Sequence, residues 1–297
     1  MDKIAGLFGK TRQGYYDRMR ATKSNEINKD KIMELVLQKR QRMPRLGTRK
    51  LHYLLKDELK REGIKMGRDK FFELLGTTDM LVKRRRSYTR TTNSKHWMMK
   101  YPNLIKELDI NRADQVWVSD ITYIRTSEGF YYLSLVTDAY SKKILAYRLS
   151  KTLESYQTEE ALLMAIKSRR GTEKLIHHSD RGIQYCSKNY VKLLNKHNIG
   201  ISMTDDGNVY ENAIAERVNG ILKEEFGVGE ILYSFEQANK LIRKAIKIYN
   251  NDRPHLSCSM MTPDKAHSAS VSLTKMWKSY QRKSFNKHKS LDNLLTC

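Results

Sequence analysis

The chain has 297 residues and carries 56 Lys and Arg against 33 Asp and Glu, a formal net charge of +23. With 39% hydrophobic and 30% charged residues it is too apolar for a disordered tail and too polar for a membrane protein. No apolar run approaches the ~18 residues of a membrane span, the first residues lack a signal-peptide core, and Cys186, Cys258 and Cys297 form neither a disulfide framework nor a metal knuckle. Secreted, membrane and zinc-finger classes are therefore disfavoured. The charge calls for a polyanion, most simply nucleic acid in the cytoplasm, at the nucleoid.

The excess is uneven: residues 1–110 carry a net +15, residues 111–269 only +3, and residues 270–297 +5. Such a split suggests that the ends hold phosphates and the middle does something else. In the first third, Ile32, Leu35 and Val36 predict a helix over 31–40, broken by Pro44 and Gly47. Thr48 is the expected N-cap of a second helix with Leu51, Leu54, Leu55 and Leu59 on one face, ended by Gly63. A third helix is expected over 67–75 with Phe71, Phe72, Leu74 and Leu75. Helix, Gly-containing turn and basic helix outline a helix-turn-helix, which makes Arg49, Lys50, Arg68 and Lys70 candidate DNA contacts. Residues 77–110 read as a basic linker in which the run Lys83, Arg84, Arg85 and Arg86 is a further candidate phosphate contact.

The texture changes near Gln115. Residues 116–124 are β-branched and aromatic and read as a strand; Ser127, Glu128 and Gly129 signal a hairpin, followed by strands over 130–137 and 141–149. Three strands with short turns form an antiparallel meander. Then follow a helix over 156–169, a strand over 175–179, a helix over 189–197, a fifth strand over 199–204 and helices over 213–226 and 235–250. The expected fold class is α/β, a mixed five-stranded sheet flanked by helices and preceded by an all-α module.

Aspartate is depleted in strands, so Asp120 among Val, Trp and Ile wants a reason. Asp180 directly follows the fourth strand, where open α/β sheets place their sites. Glu216 lies in the helix after the fifth strand, with 35 residues between it and Asp180. Three converging carboxylates without a neutralising cation repel one another, an arrangement tenable mainly with Mg²⁺ or Mn²⁺ between them. Two such ions about 3.5–4 Å apart suit attack at a phosphate. Asn212, Glu216, Asn219 and Lys223 form one polar stripe opposite Ile214, Val218, Ile221, Leu222 and Phe226, so Asn212, Asn219, Lys223 and the nearby Arg181 join the candidate DNA contacts. Asp138 reads as structural, Trp117 as core, His177 as buried and His178 as positioning. Cys186 near His178 is only a weak zinc signal, since no second pair exists.

These blocks resemble the second-frame product of the bacterial insertion-sequence transposases whose active enzyme fuses two overlapping reading frames. The resemblance is carried by residues 116–123 around Asp120, 178–185 around Asp180, and 212–216 with Leu222, Lys223 and Glu224 around Glu216. Tyr249, Asn250, Arg253, Pro254, His255, Thr262 and Pro263 resemble the family's closing segment, and Gly47, Thr48, Arg49, Leu51 and His52 its N-terminal module. The resemblance implies a ribonuclease H-like, retroviral-integrase-like core with Asp120, Asp180 and Glu216 as catalytic and metal-binding triad. It further implies Mg²⁺-dependent cleavage and strand transfer of element ends, by in-line attack of water or a DNA 3′-hydroxyl. The implied partners are double-stranded DNA, both element ends and target, further copies of the chain on paired ends, and the upstream-frame product. The expected organisation is a DNA-binding module over 1–76, a linker over 77–110, a catalytic core over 111–268 and a basic tail over 269–297. A non-catalytic DNA-binding regulator, and a nuclease that cuts without joining, are the competing readings.

Overall fold

A computed structural model describes residues 11–83, 96–169, 171–205, 212–232, 234–269 and 273. Arg84, Arg85, Arg86 and nearly all of the basic tail lie outside the described residues. Three helices come first: α1 (Arg12–Arg42), α2 (Thr48–Arg61) and α3 (Arg68–Thr77). The sheet then alternates with helices: β1 (Val116–Thr126), β2 (Gly129–Asp138), β3 (Ile144–Ser150), α4 (Ser155–Ser168), β4 (Leu175–Ser179), α5 (Ile183–Cys186), α6 (Lys188–Lys196) and β5 (Ile199–Met203). Helices α7 (Ala213–Glu225), α8 (Phe235–Asn251) and α9 (Pro263–Ser268) complete it.

The strand order is β3-β2-β1-β4-β5. The first three strands pair antiparallel, whereas β4 and β5 add in parallel on the far side of β1. The mixed five-stranded sheet expected from the alternation of short turns and helical crossovers is therefore present. The β1–β2 hairpin closes on Ser127 and Glu128, with Thr126 opposite Gly129. Gly129 has φ +118°, a conformation that side chains resist, so the glycine permits this tight turn.

Alternation along β1 gives each face its own cover. Trp117 points to one face, where it packs with α4 residues Ala161 and Leu162, β4 Leu175 and α6 Tyr190 and Leu194. Val116, Val118 and Ile124 point to the other, under α7 and α8. The cluster on that face runs without a break from Ile124, Leu133 and Leu149 through Val218, Leu222 and Ile242 to Ile32, Val36, Leu51, Leu55, Phe71 and Leu75 of the N-terminal helices. The first three helices thus pack on the same side of the sheet as α7.

Two helix starts and one core assignment differ from the sequence expectation. Helix α1 begins at Arg12 rather than near Lys31. Its first two-thirds are solvent-exposed and carry no apolar stripe, so periodicity could not announce them. Gly47, not Thr48, is the N-cap of α2; Thr48 is its first, buried residue. Phe72 is exposed on α3, while Phe71 and Leu75 face the core. Gly63, at φ +70°, ends α2 as expected.

The closing segment is pinned by polar contacts. Tyr249 Oη donates to the Lys142 carbonyl at 2.8 Å, and Asn250 brackets Ile144, accepting from its amide at 3.0 Å and donating to its carbonyl at 2.9 Å. Asp138 is fully buried and structural: it accepts from the amides of Asp114 and Ser141 at 2.8 and 2.7 Å and from Ser141 Oγ at 2.6 Å. Burial pushes its pKa up, but hydrogen bonds from His267 and Ser141 outweigh that and leave it lowered. The Asp138 carboxylate thus contributes stability above the ordinary aspartate pKa that is lost as pH falls through its lowered value. Asp138→Ala, which strands two buried amides, is expected to cost about 3 kcal/mol or more in urea unfolding. Asp264→Ala, which breaks a half-exposed ion pair with Lys143 at 2.7 Å, is expected to cost at most about 1 kcal/mol. Equal losses would contradict the assignment of Asp138 as a fold-holding residue.

Candidate active site

The geometry of the site follows from strand register. Val118 of β1 lies beside His178 of β4 in the parallel pair. Asp120 and Asp180 each stand two residues further on, at the same level and on the same face. That face is the one covered by α7, since Val118 packs against Ala215. Glu216 sits on the first turn of α7 and is exposed.

Two asparagines fasten α7 to β1. Asn219 Nδ2 donates to Asp120 Oδ2 at 2.8 Å, and Asn212 Nδ2 donates to the Ser119 carbonyl at 3.1 Å. Both asparagines are buried, so they face inward to the sheet rather than outward. Their sequence assignment as DNA contacts is corrected to this internal role: the polar stripe of α7 is the face that meets β1. Asp180 is held by its own turn, its Oδ1 accepting from the Gly182 amide at 3.0 Å. A Cβ at Gly182 would meet that oxygen at 3.0 Å, so a larger residue there would push on the Asp180 carboxylate.

The three carboxylates sense one another. Burial, then the charge of Asp180, pushes Asp120 up to about 7; Glu216 adds to this and the Asn219 hydrogen bond opposes it. Glu216 is raised by burial and by Asp180. Lys223, two turns along α7, is half-buried; burial lowers its pKa and the charge of Asp120 opposes the fall. It is therefore not a solvated surface lysine. Glu225, two residues further along α7, is taken by Arg253.

Beneath the site, His177 Nε2 lies 2.8 Å from Ser119 Oγ and 2.9 Å from Tyr190 Oη. Burial drives its pKa down to about 3, so it is neutral packing, as expected. His178 Nδ1 lies 2.9 Å from Ser202 Oγ on β5. Cys186 packs on the Met203 sulfur, and burial raises its thiol to about 11, which suits a core residue and not a zinc thiolate. Among the described residues, Asp114, Asp138 and His267 bring ligand atoms within 4.8 Å of one another. Asp138 there already accepts three hydrogen bonds, and Asp114 accepts from Trp117 Nε1 at 2.8 Å.

The other candidate DNA contacts divide by exposure. Arg49, Arg68, Lys70 and Lys83 are exposed; Arg68 pairs with Asp69 at 2.8 Å and Lys83 with Asp79 at 3.2 Å. Arg181 is half-buried, its carbonyl 2.7 Å from His96 Nε2. Lys50 is withdrawn, its side chain 13% exposed and its ammonium 3.5 Å from Glu225. Sequence reasoning missed the group this belongs to. Arg253, 1% exposed, grips Glu225 with Nε at 2.7 Å and Nη2 at 2.6 Å, and its Nη1 lies 2.8 Å from His255 Nε2. The sequence signal was Arg253 itself, within the family-like closing segment, but nothing local pointed to Glu225 as its partner.

Two family models, both described as integrase core domain, match residues 110–209 and 197–263. A 31 kDa protein of insertion element IS600 from Shigella sonnei is 34% identical over 261 residues, covering 86% of this chain and 94% of that protein. The transposase InsF of insertion sequence IS3A from Escherichia coli is 31% identical over 213 residues, covering 71% and 74%. Among solved structures, the HTLV-2 integrase catalytic core domain in complex with magnesium aligns with TM-score 0.43 and 20% identity over 52% of this chain and 97% of that one. A chain of the simian T-cell lymphotropic virus intasome aligns with TM-score 0.46 and 19% identity over 75% of each. With relatives of this identity matched over most of their length, and the integrase core matched on both sides of β5, the chain belongs to the IS3 family of insertion-sequence transposases, DDE-type polynucleotidyl transferases.

Proposed function

We propose that Asp120, Asp180 and Glu216 are the catalytic carboxylates of this transposase and hold Mg²⁺ or Mn²⁺, two ions together, for cleavage and joining of insertion-sequence ends. The observation that carries this is the shared face: Asp120 in β1, Asp180 just past the end of the neighbouring parallel β4, and a glutamate on the helix fastened above them, with Asp120 and Glu216 both raised by burial and by the charge of Asp180. The donor set fits hard divalent cations, being all carboxylate oxygen. Bound there, such ions supply activation of the attacking oxygen and charge stabilisation at the leaving oxygen.

The chain's own residues arrange the rest. Asn219 fixes Asp120 through Oδ2, and the Gly182 amide fixes Asp180 through Oδ1. Asn212 ties the first turn of α7, and with it Glu216, to the strand that carries Asp120. Lys223 lies within the field of Asp120 and takes a phosphate oxygen of the DNA next to the bond that breaks. The attacking group is water or a DNA 3′-hydroxyl, and no covalent enzyme–DNA link is formed. Exposed Arg49, Arg68, Lys70 and Lys83 on the N-terminal side, with Arg181 near the site, contact the duplex backbone. Element ends and target are the DNA partners, met by several copies of the chain and the upstream-frame product. No helix among the described residues is long and apolar enough to cross a membrane.

Asp120→Asn, Asp180→Asn and Glu216→Gln are each expected to remove both cutting and joining of labelled element ends while duplex affinity stays near wild type; full activity in any one contradicts the triad. A product that is cut and never joined would identify a nuclease instead. The same carboxylates give a stability test. Because the Asp120 pKa is raised on folding, its carboxyl costs stability that accumulates as pH rises from the ordinary aspartate pKa to about 7 and is constant above that. In chelator, the melting advantage of Asp120→Asn over the parent should therefore grow between about pH 4 and pH 8, and a pH-independent difference contradicts the repulsion.

Lys223→Ala is expected to keep the fold and weaken end binding or strand transfer. Lys223→Arg should retain part of that function, because the charge stays while the donor geometry changes. Wild-type joining rate and affinity in Lys223→Ala would show that the ammonium touches no DNA.

A further inference from the structure

The seam between the N-terminal helices and α7 gathers more positive charge than it neutralises. Glu225, at the last turn of α7, is the carboxylate that its cations share. Arg253 takes both oxygens of Glu225 and is sealed from solvent. Lys50, on the first turn of α2, reaches the same carboxylate only at 3.5 Å. Arg217, two turns earlier on α7, is exposed, and its charge acts on Lys50, Glu225 and His255. His255 offers no negative charge and is held neutral, since burial and then Arg253 drive its pKa to about 2. One carboxylate therefore answers three cations, and the nearer oxygen contacts already belong to Arg253. The backbone closes the seam as well, the Arg45 amide donating to the Glu225 carbonyl at 3.2 Å.

We propose that Lys50 and Arg217 form a seat for one phosphate of the DNA backbone, bridging the N-terminal helices and the catalytic helix next to Glu216. The assignment rests on the transposase reading given above. A phosphate there supplies the negative charge that the seam lacks. Lys50 has ammonium hydrogens beyond the one aimed at Glu225, and Arg217 stands free in solvent with its guanidinium fork. A DNA phosphate is favoured over a free anion because Arg217 adjoins Glu216 in sequence, so a strand reaching the triad passes this point. The seat would make DNA engaged by the first three helices register directly against α7.

A filled seat has a proton signature. Burial, then Arg253, brings Lys50 down to about 8, with Arg217 adding and Glu225 opposing. Of the groups facing it, Glu225 on α7 has a lowered pKa, His255 after α8 is neutral, and Arg217 and Arg253 stay charged. Lys50 alone is poised to titrate near pH 8, and a phosphate beside it raises its pKa, so filling the seat takes up a fraction of a proton.

The test uses the full chain and a duplex oligonucleotide, by calorimetry at pH 8 in two buffers of different ionisation enthalpy, with a salt titration alongside. The wild type is expected to take up part of a proton. Lys50→Met and Arg217→Met should each reduce the slope of log K against log salt by about 0.9, the share of one phosphate. Lys50→Met should also reduce the uptake, and, having lost a surplus cation, should melt no lower than the parent. Lys50→Arg should keep the slope and reduce the uptake alike, because a guanidinium is always protonated. Wild-type slope and uptake in Lys50→Met overturn the seat and leave the triad untouched, since the triad is judged by cleavage in its own variants. The same uptake with inorganic phosphate alone overturns the assignment to DNA.

Discussion

Everything in this molecule turns on holding like charges together. Asp120 lies in β1 and Asp180 just past the end of the adjacent parallel strand β4, and a glutamate is brought over them by a helix. No strand or helix propensity favours that placement; it is imposed by packing. The β1–β4 register depends on Val116, Trp117 and Val118 being buried on both faces, so a slip of one residue would drive Trp117 out of its pocket and turn Asp120 into the opposite layer. The apolar alternation of β1 is thus what makes the carboxylate pair. Without a bound cation the arrangement opposes folding, which is how a strained functional site is expected to look.

Helix α7 is the second half of the constraint, and it is secured at both ends. At its N-cap Asn212 and at its middle Asn219 are spent on β1, which sets the height of Glu216 above the sheet. At its finish Glu225 is gripped by Arg253, a bidentate pair sealed in the interior, where removing one partner alone would strand a buried charge. Between them Val218, Ile221 and Leu222 join the cluster that extends to the N-terminal helices. The helix that carries Glu216 therefore also shares a core cluster with the first three helices, and the contacts at Glu225 join the two regions in one polar group.

Much of this was legible in the residues. The strand around Asp120, the strand ending before Asp180 and the helix of Glu216 all have strong local patterns, β-branched in the first case and a polar stripe opposed to an apolar one in the last. What failed is instructive. The polar stripe of α7 reads as a solvent face, yet Asn212 and Asn219 turn inward, because each is buried for its hydrogen bond to β1, to the Ser119 carbonyl and to Asp120, and is not excluded from the core. For Lys50, what escaped is its ion pair with Glu225, 175 positions away, which no periodicity encodes. The first two-thirds of α1 escaped notice since an exposed helix has no apolar face to display. Helix α5 is a single turn, too short for any pattern.

The measurement that bears most directly on the central claim is anomalous diffraction from crystals of the full chain soaked in Mn²⁺. It separates two carboxylate groups in one molecule. The Asp114, Asp138 and His267 group is the tighter of the two but has its oxygens occupied by hydrogen bonds, whereas Asp120, Asp180 and Glu216 repel one another across the face of α7. The account predicts anomalous density between Asp120, Asp180 and Glu216 and none at Asp138. Density at Asp138 with none at the triad would contradict it.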